Sequence, residues 1–155
     1  MDSKLKPTGP AEKLVPIVID TREQLPYTFD PDRVSVTHRA LPAGDYSLLG
    51  QETRVAIERK SLDDFVGSVI QGRERFLREL EALAELDLAC VVVEASLEDI
   101  LEHRYRSAAH PNAIFGSTVA IFADLHLPVF FCGDREASCR FVEGTLTRYL
   151  RKAVA

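Results

Sequence analysis

No stretch of this 155-residue chain stays apolar long enough to cross a membrane. Its opening, MDSKLKPTGPAEK, is polar, carries Pro and Gly, and lacks the apolar centre of a secretory signal. The expectation is an intracellular protein of cytoplasm, nucleoid or nucleus, with no membrane partner. Cysteine is scarce: Cys90, Cys132 and Cys139 are odd in number and have no paired spacing, which argues against a disulfide framework and suits a reducing interior. The four histidines lack the spacing of zinc ligands. Internal repeats and low-complexity segments are missing too. Nor is there a basic excess: the net charge is −5, which argues against a general nucleic-acid binder. That balance still admits a protein whose acids gather around a metal, because the cation inverts the local field.

What remains is the composition of a soluble globular protein, 46% hydrophobic and 28% charged, long enough for one domain and its core. Residues 1–13 read as a disordered lead-in and residues 14–155 as a single domain. Ile17 to Ile19, Val34 with Val36, Tyr46 to Leu49 and Arg54 to Lys60 read as four strands separated by turn residues. Ser61 offers an N-cap, with Asp64 at the capping-box position, to a helix with Leu62, Phe65, Val66, Val69 and Ile70 on one stripe. Gly72 breaks it. A second helix is expected from Arg73 to Leu86, with Phe76, Leu77, Leu80 and Leu83 inward. LACVVVEA from Leu88 reads as a strand covered on both faces. A short helix capped by Ser96, a polar loop from His103 to His110, a helix from Pro111, a strand from Val129 to Cys132 and a helix capped by Asp134 complete the chain. Hairpin strands followed by alternating helix and strand predict an α/β domain, a mixed sheet flanked by helices.

The fourth strand ends in RKSLDD after Glu58. Side chains two apart on a strand share a face, so Glu58 and Lys60 project together. Asp45, after Gly44, starts the neighbouring strand, and Asp20 ends the first, offering a third acid at the same edge. Converging carboxylates and an amine are what a magnesium-dependent phosphodiester hydrolase requires. A hard dication takes one or two carboxylates plus phosphate and water oxygens, and it acidifies an attacking water. Lys60 can orient that water and offset charge building on the phosphorane. Arg59, by alternation, faces the other way, toward the side of Val55 and Ile57, and is expected to pair with a carboxylate or carbonyl.

The fuller string is Gly44-Asp45, then Glu58-Arg59-Lys60, then Asp64 after three residues, with Asp20, Arg22 and Glu23 closing the first strand. Together these resemble the nuclease domain of the XPF family of structure-specific DNA endonucleases, with its G-D…E-R-K-x-x-x-D signature and first-strand D-x-R-E. The likeness runs on through VGSVIQGR. It implies a restriction-endonuclease-like core and metal-dependent cleavage of branched, flapped or forked DNA, in repair or recombination. It also implies that Asp20, Asp45 and Glu58 surround Mg²⁺ or Mn²⁺, that Lys60 positions the nucleophile, and that Asp64, Arg22, Glu23, Arg59 and Arg73 support the site. Family members usually append a helix-hairpin-helix module and some a helicase, and the expectation here is a stand-alone version. A homodimer, or a dimer with a DNA-reading partner, would then widen the DNA surface.

Other residues carry both a functional and a plain reading. Arg73, Arg75 and Arg78 can meet phosphates, or form a solvated face interleaved with Glu74 and Glu79. Arg104, Tyr105 and Arg106 can contact DNA backbone and stack on bases, or simply solvate a loop. Phe115, Ile121 and Phe122 can line a dimer interface or fill the core. Glu58 and Lys60 can be a surface ion pair, and Asp64 a helix cap. The alternatives to an XPF-type endonuclease are a junction resolvase or restriction enzyme on the same core, and a non-catalytic DNA-binding or scaffolding subunit.

Overall fold

The computed structural model describes residues 13–155. The disordered segment expected over 1–13 therefore falls, except for Lys13, outside the described residues. Six strands form one mixed sheet: β1 (Val15–Ile19), β2 (Val34–His38), β3 (Tyr46–Leu48), β4 (Val55–Lys60), β5 (Leu88–Val93) and β6 (Val129–Phe131). Their spatial order is β2-β1-β3-β4-β5-β6. β3 runs antiparallel to both neighbours, and every other pairing is parallel. Consequently the ends of β1 and β4 and the start of β3 meet at one edge.

Alternation along β4 separates two cores. Val55 and Ile57 join Ile17, Leu48, Val142 and Leu146 beneath α5 (Arg135–Ala153). Ala56 joins Phe65, Phe76 and Leu80 on the opposite face, beneath α1 (Leu62–Ile70), α2 (Arg73–Ala84) and α4 (Pro111–Leu125). Fully burying each large apolar side chain stabilises by roughly 2 kcal/mol, so both layers are needed to hold the sheet. Glu58 and Lys60 continue the Ala56 series and Arg59 continues the Ile57 series. The sheet's two faces thus receive different parts of the same charged string.

α1 starts where expected: Ser61 Oγ accepts the Asp64 N–H at 3.3 Å, a cap worth about 1 kcal/mol. The reciprocal capping box is absent there and forms instead at α3 (Leu97–Leu101), between Ser96 and Asp99. Asp64 is thereby free of the return bond and turns to the cleft described below. α2 closes at Ala84, where the Leu86 N–H reaches back only to the Leu83 carbonyl at 3.0 Å, rather than at Leu86. Leu77, expected inward, is 43% exposed, because the stripe of Phe76, Leu80 and Leu83 already fills the contact with the sheet.

Candidate active site

Antiparallel β3 stitches the edge together. The Asp20 N–H donates to the Asp45 carbonyl at 2.8 Å, and the Asp45 N–H donates to the Ile57 carbonyl at 2.9 Å. Gly44 makes this possible. Its φ is +77°, and a Cβ there would lie 2.9 Å from Ala56 Cβ and 3.3 Å from the Ile57 backbone, so a side chain would displace Asp45. The resulting cleft is lined by Asp20, Arg22, Asp45, Glu58, Lys60 and Asp64, together with Arg75 and Glu79 from α2.

At its floor the Asp45 and Glu58 carboxyls are neighbours. Burial pushes the Glu58 carboxyl well above its ordinary range, and the neighbouring Asp45 charge adds to the effect. Burial also raises Asp45, although its Oδ2 accepts the Arg59 N–H at 2.8 Å. Lys60 Nζ lies 3.9 Å from Glu58 Oε1 and 5.1 Å from the Phe76 ring centre, on its face. Two crowded acids and one amine therefore occupy one spot, as the spacing of the sequence predicts.

Arg59 points away from them. Its guanidinium meets Glu23 at 2.9 and 2.7 Å and Glu94 at 2.8 Å, on the α5 face of the sheet. The alternation argument holds, and the pairing raises Arg59 further above its already high range through the Glu23 hydrogen bonds. Asp20, the third expected metal ligand, already carries protein partners. It is 2% exposed, and its oxygens accept the Leu41 N–H at 2.8 Å and three bonds from Arg22 at 2.9 to 3.2 Å. Burial would raise its pKa, but the bonds from Arg22 and Leu41 outweigh burial and hold it below the usual range. Asp20 thus anchors Arg22 and the Leu41 backbone while lining the same cleft as Asp45 and Glu58.

The helical periodicity of α2 re-sorts the arginines. Arg73 lies with Phe76, Leu77 and Leu80 in the groove against α4, away from the acids. Arg75, Glu79 and Ala82, one and two turns apart, form the cleft wall, with Arg75 Nε 3.2 Å from Glu79. Arg78 is exposed on neither wall. Of these arginines it is Arg75 that lines the acid cleft. The loop after α3, open to a DNA-contact or a plain solvation reading, turns its aromatic inward. Tyr105 is 8% exposed, stacked on His103, and its hydroxyl donates to the Ala109 carbonyl at 2.7 Å. Arg104 is taken up by Asp99 and Glu102. Only Arg106 extends outward, its N–H on Asp63 at 3.0 Å. Two residues were missed from sequence, Glu79 and Glu94. The spacing from Arg75 could have pointed to Glu79, and the acid ending VVVE could have pointed to Glu94.

Among the described residues no group of three or more His, Cys, Asp or Glu is arranged to hold a metal. The pair still fits a hard dication. Its donors are carboxylate oxygens, Mg²⁺ or Mn²⁺ needs only one or two of these, and a cation would relieve the crowding of Asp45 and Glu58.

The model of the ERCC4 domain family matches residues 19–145. A protein of Methanocaldococcus jannaschii, named as an ATP-dependent RNA helicase, is 29% identical over 125 residues. That match spans 81% of this chain but 14% of the relative's length. The structure of XPF from Aeropyrum pernix superimposes with a TM-score of 0.65 at 24% identity, covering 88% of this chain and 65% of that one. The same protein in complex with DNA gives 0.65 at 24%, covering 90% and 66%. These likenesses establish the fold, a mixed sheet of restriction-endonuclease-like type. Among the described residues no helix is long and apolar enough to span a membrane.

Proposed function

Because this chain belongs to the ERCC4 domain family, we propose that it is a divalent-metal-dependent DNA endonuclease that hydrolyses a phosphodiester at branched, flapped or forked DNA. The convergence of Asp45, Glu58 and Lys60 on one cleft floor carries this reading. Asp45 and Glu58 would hold the ion. When bound, Mg²⁺ or Mn²⁺ supplies Lewis-acid polarisation of the phosphate and a lowered pKa for the attacking water.

The chain's own groups do the rest. The Lys60 ammonium, held between Glu58 and the Phe76 face, donates to the non-bridging phosphate oxygens and offsets the charge that grows on them. Water attacks phosphorus and releases a proton to solvent, the phosphorus–oxygen bond to the leaving sugar breaks, and the leaving oxygen takes up a proton from solvent. Arg22 and Arg75 line the same cleft and supply positive charge to the flanking phosphates, despite the negative balance of the whole chain. DNA as the substrate class is supported by the solved relative in complex with DNA, and a role in repair or recombination accords with branched substrates.

The test is incubation of purified protein with Mg²⁺ or Mn²⁺ and labelled flap, fork, four-way junction, linear duplex and single-stranded DNA. Incision within a few nucleotides of the branch is expected. Equal cutting of linear duplex would instead indicate a restriction-type enzyme, and no cutting of any substrate would indicate a non-catalytic subunit.

A homodimer suits the same reading. Ile121 belongs to the core, but Phe115, Val119 and Phe122 form an exposed stripe along α4, Phe122 at 60% exposure, and Phe130 is exposed on edge strand β6. Sedimentation should show twice the 17.3 kDa chain mass, and Phe122→Ser should shift the equilibrium to monomer. A wild-type chain that stays monomeric at high micromolar concentration would sink this part.

A further inference from the structure

On the α5 face of the sheet lies a buried polar network that the cleavage chemistry does not touch. Glu94, immediately after β5, stands at its centre. Its Oε1 accepts Arg59 Nη1 at 2.8 Å, and its Oε2 accepts the Tyr27 hydroxyl at 3.0 Å, with Arg135 Nη1 at 3.4 Å. Its own N–H donates to the Lys60 carbonyl at 2.9 Å. One residue therefore grips the side chain of Arg59 and the backbone of Lys60. Arg59 in turn donates its N–H to Asp45 Oδ2 at 2.8 Å and lies between Glu58 and Lys60 on β4. Glu23 grips the other side of the same guanidinium. Arg135, at the start of α5, closes the far end: it donates to the Leu25 and Pro26 carbonyls at 2.7 and 3.0 Å and stacks over Tyr27.

We propose that Glu94 is a positioning residue of the hydrolytic site, setting the twist of the β4 end through Arg59 and Lys60 so that Asp45, Glu58 and Lys60 converge. This rests on the reading of the acid cleft as a nuclease site. The logic is geometric. A strand end with nothing beyond it frays, whereas this one is held on its rear face by two carboxylates against one guanidinium. The three reacting-side groups inherit that rigidity through a single backbone N–H and two peptide units. Displacement of a site group by about 1 Å can cost on the order of a hundredfold in rate. Tyr27 and Arg135 hold the second oxygen of Glu94 and so orient its first.

Two readouts on Glu94→Ala test this, one of them independent of cleavage. Hydrogen exchange of the Arg59 amide, followed by NMR, should speed up by about tenfold, while amides in the middle of β5 keep their wild-type rates. Single-turnover cleavage should slow by roughly a hundredfold with KM for DNA unchanged. Glu94→Gln, whose amide oxygen still accepts from Arg59, should recover most of both. If Glu94→Ala does not fold, Glu94→Gln and Tyr27→Phe are read instead: Tyr27→Phe frees Oε2 and should slow cleavage about fivefold. A folded Glu94→Ala with wild-type Arg59 exchange overturns the proposal, as does faster exchange with wild-type cleavage. If the wild-type protein cuts nothing, the nuclease reading fails, and the Arg59 amide still reports whether Glu94 positions the strand.

Discussion

Replacing Lys60 by Ala should lower single-turnover cleavage by about three orders of magnitude while leaving the melting temperature nearly unchanged. The asymmetry follows from where Lys60 sits. Its ammonium is partly exposed and 3.9 Å from Glu58, a pairing that adds little to folding, and its stem covers only part of the Phe76 ring. The same ammonium is aimed at the place where negative charge appears during hydrolysis. Without it the Glu58 carboxyl also loses a neighbouring positive charge that opposes the rise of its pKa. Arg at position 60 should not rescue, because a planar fork cannot occupy the slot of a compact ammonium. The measurement is cleavage of the best substrate of the panel under enzyme excess, with calorimetry alongside. A mutant that cuts at the wild-type rate would remove Lys60 from the mechanism.

Asp45→Asn should abolish Mn²⁺ binding and cleavage together, yet raise the melting temperature of the metal-free protein by a few degrees. The carboxyls of Asp45 and Glu58 are buried against one another, and burial already raises both pKa values. In the absence of a cation this crowding opposes folding. An amide relieves it, and its oxygen can still accept the Arg59 N–H that Asp45 Oδ2 accepts at 2.8 Å. A site that gives up stability in return for cation affinity is expected at a catalytic centre. Electron paramagnetic resonance of free Mn²⁺ reads the binding and a thermal melt reads the stability. Retained Mn²⁺ binding would place the ion elsewhere, and a lower melting temperature would show that the acid pair is not strained.

The strands and helices could be read from local pattern because each has one apolar stripe and clear punctuation. Gly44, Gly72, Ser61, Ser96 and Asp134 all act at the positions their chemistry suggested. Which arginine of α2 lines the acid cleft is not legible in the sequence. Sequence neighbours on a helix diverge by more than a quarter turn per residue, so the choice between Arg73 and Arg75 depends on which face of α2 meets the sheet. The sequence leaves Tyr105 open between DNA contact and loop solvation, because a polar loop gives no sign that its one aromatic will fold back beneath it. The bonds that Asp20 makes to Leu41 and to the side chain of Arg22 are not legible in the sequence, because they depend on how the chain turns back after β1.

The amino-acid sequence by itself determined the mixed sheet, the two-residue spacing that throws Glu58 and Lys60 to one face and Arg59 to the other, and the family likeness. Alternation on a strand is a local property of the backbone and survives any packing. Tertiary structure alone decided that Asp45 and Glu58 crowd one another while Asp20 binds Leu41 and Arg22, that Glu79 and Arg75 wall the cleft, and that Glu94 grips Arg59 from behind. Those contacts join residues far apart in the chain, and they exist only because antiparallel β3 inserts between β1 and β4 and because β5 lies in parallel register with β4, bringing Val93 level with Lys60.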